Sequence, residues 1–523
     1  VGAIVASRLC WIAAGALLVV HLVSLWRFAV DWPLQDDFVQ ILAIPNYLAQ
    51  VDTFGKVAQL FELNPQQRVV TQKLVGWLGS MLPGGLNFRA LIGLANALVL
   101  AAGAIVLLAY PKSLRAVAAL LAALLLTSMT HWGAQYWASA ALHHFGVTFY
   151  ALAALFVLGC ARWRWLAVPL ALTAAFTSAN GLMVFPAVVL LLVLEARRRE
   201  AIAWGVAGAV VIALYFVGAT AHSGQEGALS MLMQPLRLIS LGLTTIGAVG
   251  DTTTVSLAIG GAIVATWVGI GATGAWRRVP SFVIAAMLFV ALSCAMIAAG
   301  RAAFGADAVT LPRYRVYSAF ALLLTLAAIA ALMSKRQVRW ILGAACAGAA
   351  ALYLVARVSM IEHVVHVAML LKADRDHYAA YGHSHYLGFP PRDFGDYTLE
   401  RARALGAYDG ARSASPPTRI VGADLPAGKS SGHSHAQVYR DDGIVSIAGW
   451  IERGPSPPRL WIASDDRAFF APLSIVRYRG GTWTGVRDAF HGTVRLDGLP
   501  HGSYRVGYGG DSVRWTGEKI EIR

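Results

Sequence analysis

CWIAAGALLVVHLVSLWRFAV, residues 10–30, followed by DWPLQDDF, residues 31–38, decides how the rest of the chain is read. The first stretch is almost wholly apolar and reaches the ~20 residues a helix needs to cross a bilayer core. It is too long for the apolar core of a signal peptide and lacks a clear small-residue cleavage site, so it reads as a retained anchor. The chain begins at Val1, which leaves room for a processed N-terminus or a non-Met start. The second stretch crowds Asp31, Asp36 and Asp37 together, with Trp32 and Phe38 suited to the headgroup zone. It opens a long polar insertion containing Asn64-Pro65-Gln66-Gln67-Arg68. An acidic pair in such a place is usually a solvated loop or a helix cap. In a chain so sparing with charge, Asp36-Asp37 reads instead as a reaction centre for a lipid-bound substrate.

The composition agrees with the first stretch. Hydrophobic residues make up 57% of the chain and charged ones only 14%, with a mean hydropathy of +0.58. A soluble domain carries about a quarter charged residues, so the chain belongs among polytopic membrane proteins. Its formal charge of +15 does not point to nucleic acid, because many of the Lys and Arg sit in short links between apolar runs. Cys10, Cys160, Cys294 and Cys346 all lie within apolar runs, so no disulfide framework is expected.

The apolar runs predict an α-helical bundle of about eleven transmembrane helices, over 10–30, 86–109, 115–130, 143–160, 165–178, 181–195, 202–220, 254–274, 281–299, 316–333 and 340–358. If these alternate, Arg8, Lys112/Arg115, Arg162/Arg164, Arg197-Arg198-Arg199, Arg277-Arg278 and Lys335/Arg336/Arg339 fall on one side, the cytoplasmic one. Residues 231–250 are apolar too, but a span there would invert every later link, so they are read as a helix on or dipping into the outer face. Ser178-Ala179-Asn180-Gly181 marks a break between two short helices, and polar backbone at that depth must be buried in protein or line a cavity. The outer side then holds 31–85, 131–142, 221–253, 300–315 and everything after about 359. The spans contain almost no acidic residues, which weighs against an ion-coupled transporter.

Three regions follow: a transmembrane domain over 1–359, an amphipathic helix (360–373) and linker to 436, and an extracytoplasmic β-sandwich over 437–523. The last rests on short alternating runs at 444–450, 459–463, 492–496, 503–508 and 519–522, separated by Gly- and Asp-rich turns.

Chemistry is sought first in the opening outer loop. A carboxylate at a membrane surface suits a general base for a sugar hydroxyl. A lipid phosphate leaving group departs as a stable anion and needs no general acid, unlike hydrolysis, which uses two carboxyls. Adjacent side chains diverge, so only one of Asp36 and Asp37 is expected to face the site, and Phe38 makes Asp37 the weaker choice. Arg301, Arg313 and Arg315, with Tyr314, lie on the outer face against the positive-inside bias; they suit an anionic partner, or interfacial anchoring. The run from His131 to Trp137, with His143-His144, suits sugar rings or an aromatic belt. Arg68 is the best cation of the first loop, with a structural salt bridge as the alternative. His383/His385, His433/His435 and His363/His366 lack nearby Cys or acidic partners and are weak metal ligands. No Walker-type or Rossmann-type glycine motif stands out, which disfavours a nucleotide-bound donor.

With these motifs in their order, residues 1–360 resemble the GT-C superfamily of multi-spanning glycosyltransferases that use polyprenyl-phosphate sugars. The resemblance rests on Gln35-Asp36-Asp37-Phe38, Asn64 to Arg68, the Ala-Asn-Gly break at 179–181, and Arg313-Tyr314-Arg315 before a late span. It implies Asp36 or Asp37 as catalytic base, with Asn64, Arg68, Arg301, Arg313, Tyr314, Arg315, His143 and His144 around the substrate. Gln67 stands where many relatives carry His, and a second acidic position is represented only by Asp251 or Asp307. These departures leave a divalent metal open, and no cofactor is assigned. The expected activity is inverting transfer of a sugar from a polyprenyl-phosphate donor to a glycan or glycolipid acceptor. It would take place at the periplasmic face of the inner membrane, with the lipid bilayer but no nucleic acid as partner. The alternatives are a lipid-glycan flippase or transporter, and a non-catalytic cell-envelope assembly protein.

Overall fold

A computed structural model describes residues 2–64, 67–218, 233–250, 252–382, 384, 391–410, 421–423, 436–441, 444–452, 457–476, 481–482, 485–496, 499–509 and 513–522. The chain folds into two units. One comprises Val1–Arg27, Tyr47–Trp77 and Ala90–Arg357; the other comprises Phe28–Asn46, Leu78–Arg89 and Val358–Arg523. The expected first outer loop therefore contributes to both.

The first unit is helical. Among the described residues seven helices are long and apolar enough to cross a membrane, or eight if the bent pair Lys112–Leu126 and Met129–Gln135 counts as one. Each of the eleven apolar runs read from the sequence forms helix. Those at 165–178 and 181–195 are only Ala167–Thr177 and Val184–Leu194, and the one at 202–220 is Arg198–Tyr215, which opens on Arg198-Arg199-Glu200. The run at 231–250 contains the short helix Pro235–Ile246. Ala138–Leu158 and Pro312–Leu332 are central, each 78% buried over its apolar window, against 22% for Val5–Phe28. Leu9, Trp11, Ile12, Trp26, Val206 and Val268 are exposed on peripheral helices, as apolar side chains facing lipid would be.

Glycine makes the helix break at 178–181. Helix Ala167–Thr177 ends at Ser178, whose extended backbone leads into the tight turn Ala179–Met183. There Gly181 packs so closely on the carbonyl of Ala174 that a Cβ would overlap it. Only glycine allows that backbone approach.

A separate amphipathic helix over 360–373 is not formed. One helix runs unbroken from Lys335 to Tyr381, 47 residues, more than twice the ~20 a span requires. The physical reason is plain in the sequence: between Gly348 and Gly382 there is neither glycine nor proline. The helix stops where Gly382 takes φ +76° and its N–H bonds Tyr378 O at 2.7 Å.

The second unit is built on two antiparallel sheets. The strands are β1 (Val421–Ala423), β2 (Ala436–Asp441), β3 (Ile444–Glu452), β4 (Arg459–Ala463), β5 (Ala468–Pro472), β6 (Ser474–Val476), β7 (Gly481–Thr482), β8 (Gly485–Arg495), β9 (Gly502–Gly509) and β10 (Arg514–Ile522). One sheet has the order β1-β5-β4-β9-β10 and the other β2-β3-β8-β6, with β7 paired to β8. Strand β9 shows the period of two: Tyr504, Val506 and Tyr508 are buried while Ser503 and Arg505 are exposed. These three join Val445, Ile447, Leu460, Ile462, Phe490 and Val494 in a core drawn from both sheets. That shared core makes the region a β-sandwich.

The end of the long helix docks on this sandwich through polar contacts. His377 Nδ1 lies 2.6 Å from Ser446 Oγ, and Ser446 Oγ donates to Thr493 Oγ1 at 3.0 Å. Arg375 holds Asp376 at 2.8 Å, and Asp376 lies 3.7 Å from His491. Burial pushes the His491 imidazole down to about 4, outweighing the attraction of Asp376. Trp32 Nε1 donates to Asp374 at 2.7 Å, and its ring packs on Tyr378 and Tyr408.

Candidate active site

Asp36 and Asp37 follow a tight turn. Gln35 adopts φ +47°, and Asp37 N–H returns to Leu34 O at 3.0 Å. A wide helical turn then covers Phe38–Leu42, closed by Ala43 N–H on Phe38 O at 2.9 Å. Asp37 is buried, and one of its carboxylate oxygens accepts the Leu34 N–H at 3.0 Å. Asp36 is half-buried. Of the adjacent pair, Asp37 secures the turn while Asp36 presents the more accessible carboxylate. Nearby, Asp31 accepts the N–H of Phe88 at 2.8 Å, and its backbone oxygen accepts from Tyr408 Oη at 3.1 Å. Burial raises the pKa of both groups. All of these residues belong to the second unit.

The other expected site residues belong to the first unit, and most converge. Tyr314 is buried at the start of helix Arg315–Leu332. The guanidinium of Arg301 lies 5.8 Å from the centre of its ring and that of Arg313 lies 5.1 Å away. Arg313 also stacks on Trp137 at 5.6 Å, and the buried Trp137 Nε1 has no hydrogen-bond partner among the described residues. Tyr314 meets His144 edge-on at 5.1 Å, and His144 lies beside His143 at 4.6 Å. His144 Nδ1 is 3.3 Å from Tyr317 Oη, to which Asn180 Nδ2 donates at 2.9 Å. Ser178 Oγ donates to Asn180 Oδ1.

Gln67 connects this cluster to the first loop. Its amide nitrogen lies 3.5 Å from His143 Nδ1, and its Oε1 lies 3.5 Å from Ala179 N–H. Gln67 and Asn64 exchange backbone hydrogen bonds at 2.7 and 2.9 Å. Thus Asn64, His143, His144, Arg301, Arg313 and Tyr314 collect around the helix break. Among the described residues no carboxylate comes within ion-pair distance of Arg301 or Arg313. Two cations on one ring, without an acidic partner, make a ready seat for an anion.

Arg68 and Arg315 do different work. Arg68 donates to three backbone carbonyls, those of Phe61, Tyr215 (2.7 Å) and Val217 (2.5 Å), and its own N–H bonds Tyr215 Oη at 2.8 Å. It ties the first loop to the end of helix Arg198–Tyr215. Arg315 is buried and donates to Thr310 O at 2.9 Å. Lys73, missed in the sequence, donates to Gln59 O at 2.8 Å and Glu62 O at 3.1 Å, and burial lowers its pKa to about 8.

Asp307 accepts from Thr253 Oγ1 at 3.3 Å, while Asp251 lies outside the described residues. So do His383, His385, His433 and His435. Among the described residues no group of three or more His, Cys, Asp or Glu side chains is arranged to hold a metal ion.

A second polar set inside the helical unit also escaped the sequence. His21 Nε2 lies 3.1 Å from Asn96 Oδ1, and Asn96 Nδ2 donates to Gln135 O at 2.9 Å. Ser24 Oγ contacts Tyr136 Oη at 2.8 Å and accepts from Arg357 at 3.3 Å. Isolated polar residues in apolar runs give no sign of which will meet.

No protein family, curated protein or solved structure matches the chain.

Proposed function

We propose that this chain is a membrane glycosyltransferase that takes a sugar from a polyprenyl-phosphate donor and delivers it to an extracytoplasmic glycan or glycolipid. The observation that carries the reading is the pair Arg301 and Arg313 on the ring of Tyr314, without carboxylate partners among the described residues, beside His144 and the helix break. A guanidinium pair on an aromatic face suits a phosphate, whose oxygens accept its forked N–H donors. In this proposal all eleven apolar segments cross the inner membrane, the basic links face the cytoplasm, and the sandwich lies in the periplasm. Asp36 is the proposed base: it takes the proton of the acceptor hydroxyl as that oxygen bonds to the anomeric carbon. The bond to the phosphate oxygen breaks, the electron pair leaves with the phosphate, and the configuration inverts.

A second reading, translocation of a lipid-linked glycan, draws on the polar set from His21 to Arg357 within the helices. The phosphate seat is tested on Arg301 and Arg313. Radiolabelled polyprenyl phosphate should be retained by the purified protein in nanodiscs. Replacing both arginines by Ala should weaken retention at least tenfold, and by Lys should weaken it less, because Lys lacks the planar fork. Equal retention by the double Ala variant would return these arginines to interfacial anchoring.

A further inference from the structure

Helix Ala138–Leu158 begins inside the helical unit. The chain leaves the short helix Trp132–Gln135, is extended at Trp137 (φ −129°, ψ 115°) and enters the longer helix at Ala138. The first N–H groups of a helix have no partner within it. Here the N-cap residue is Trp137, whose side chain carries no acceptor oxygen, and no side-chain cap bonds this end. Ala138 and Ala140, in the first turn, are buried.

A helix N-terminus is an ordinary feature of any bundle, and the Trp137 indole sets this one apart. Trp137 is only 8% exposed, and its Nε1–H has no hydrogen-bond partner among the described residues. An indole N–H can only donate. Buried and unfilled, it is costly unless an acceptor meets it. Because Trp137 is the N-cap residue, this donor belongs to the positive end of the helix. The guanidinium of Arg313 lies 5.6 Å from the centre of the same ring. Its backbone is held from the other side by Gly133, where an added Cβ would lie 3.3 Å from Pro312 Cβ and 3.4 Å from Arg313 N.

We infer that Trp137 Nε1–H and the N-terminus of helix Ala138–Leu158 bind one phosphate group together with Arg313. Indole, helix end and guanidinium offer donors only. Their ligand must therefore accept on every side, as an ionised phosphate does and a hydroxyl that also donates does not. Among the described residues no carboxylate is within ion-pair distance of Arg313 to take that place. A cation would meet Arg313 and the positive helix end and be repelled. A lipid phosphate and free phosphate share this chemistry. Assignment to the polyprenyl donor rests on the transferase reading; phosphate binding itself does not.

The test is equilibrium binding to the full-length protein in nanodiscs, with no acceptor present. Radiolabelled polyprenyl phosphate, inorganic phosphate and neutral polyprenol are the separate probes. Trp137→Phe keeps an aromatic face for Arg313 and removes the N–H. Benzothienylalanine at position 137, with sulfur in place of the N–H, keeps the shape of the indole as well. Both variants should bind phosphate at least about tenfold more weakly than the parent, the lower end for a hydrogen bond to a charged group. Polyprenol binding should not change, and the unliganded benzothienylalanine variant should be as thermostable as the parent, since no bond within the protein is lost. Weakening seen with polyprenyl phosphate places a lipid headgroup on the indole; weakening seen only with inorganic phosphate places a free ion there. Undiminished phosphate binding in both variants, no binding of either phosphate by the parent, or equal losses of polyprenol and phosphate binding would overturn the inference. A parent that retains polyprenyl phosphate independently of Trp137 leaves the transferase reading standing, and inorganic phosphate held through Trp137 stands without it.

Discussion

Replacing Arg68 by Met separates two roles for the first-loop arginine. As a phosphate ligand, Arg68 would matter to donor binding and little to the unliganded protein. In the structure it is a tie: its guanidinium donates to the carbonyls of Phe61, Tyr215 and Val217. Hydrogen bonds from a charged donor contribute about 1.5–3 kcal/mol each when shielded from water. The bond to Tyr215 is partly buried and the other two lie at an exposed edge, where such contacts are worth under ~1 kcal/mol. Together they stabilise the fold by roughly 2–4 kcal/mol, a fall in Tm of about 3–6 °C for a unit of this size at ~2.1 cal/mol/K of unfolding entropy per residue. Thermal unfolding in nanodiscs without donor, at one fixed scan rate, measures it. Arg68→Lys should fall between, since one ammonium cannot reach three carbonyls spread around a planar fork. An unchanged Tm for unliganded Arg68→Met, with a loss of donor binding, would refute the tie and restore the phosphate role.

The sandwich unit should lose stability in acid through His491, whose pKa is held near 4 by burial. Below its unfolded value of ~6.5 the unfolded chain takes up the proton first, so stability is complete above about pH 6.5 and falls toward pH 4 by up to ~3 kcal/mol. Urea unfolding across that range should show the slope in the parent and a flatter profile in His491→Gln; identical profiles would rule the histidine out. Gly181→Ala should cost about 1–3 kcal/mol, because the added Cβ meets the backbone of Ala174 rather than a movable side chain, and should disturb the Asn180–Tyr317 bond. A variant as thermostable as the parent would show that the break has more room than the structure gives it.

The apolar helices were legible because a long apolar run has few alternatives, and among the described residues seven of them, or eight with the bent pair, are long enough to cross a membrane. The strands from β3 to β10 announced themselves where alternation was clean, as in β9. The short β5 and β6, Ala468–Pro472 and Ser474–Val476, carry too little pattern to be seen alone. Hydropathy falls after residue 358 and so suggests two segments where the helix ending at Tyr381 is one, because nothing there breaks a helix. At the candidate site, Arg301, Arg313, Tyr314 and the His pair were read from residue type and outer-face position. Their convergence on Asn180 and Gln67 was not, because it depends on contacts between residues more than a hundred positions apart. Arg68 is the reverse case: a motif singled it out, and three carbonyls that no sequence pattern reveals account for its guanidinium.

The central claim is most directly tested by sugar transfer with purified Asp36→Asn and Asp37→Asn variants. The substitution keeps size and removes the proton acceptor. A panel of radiolabelled polyprenyl-phosphate sugars, first screened with the parent for transfer or slow hydrolysis, supplies the assay. Asp36→Asn should lose at least ~10²-fold of turnover. Asp37→Asn should lower Tm through the Leu34 turn and reduce turnover far less. Near-parental turnover in both variants and in the double variant would contradict the account and leave Asp36-Asp37 a purely structural turn.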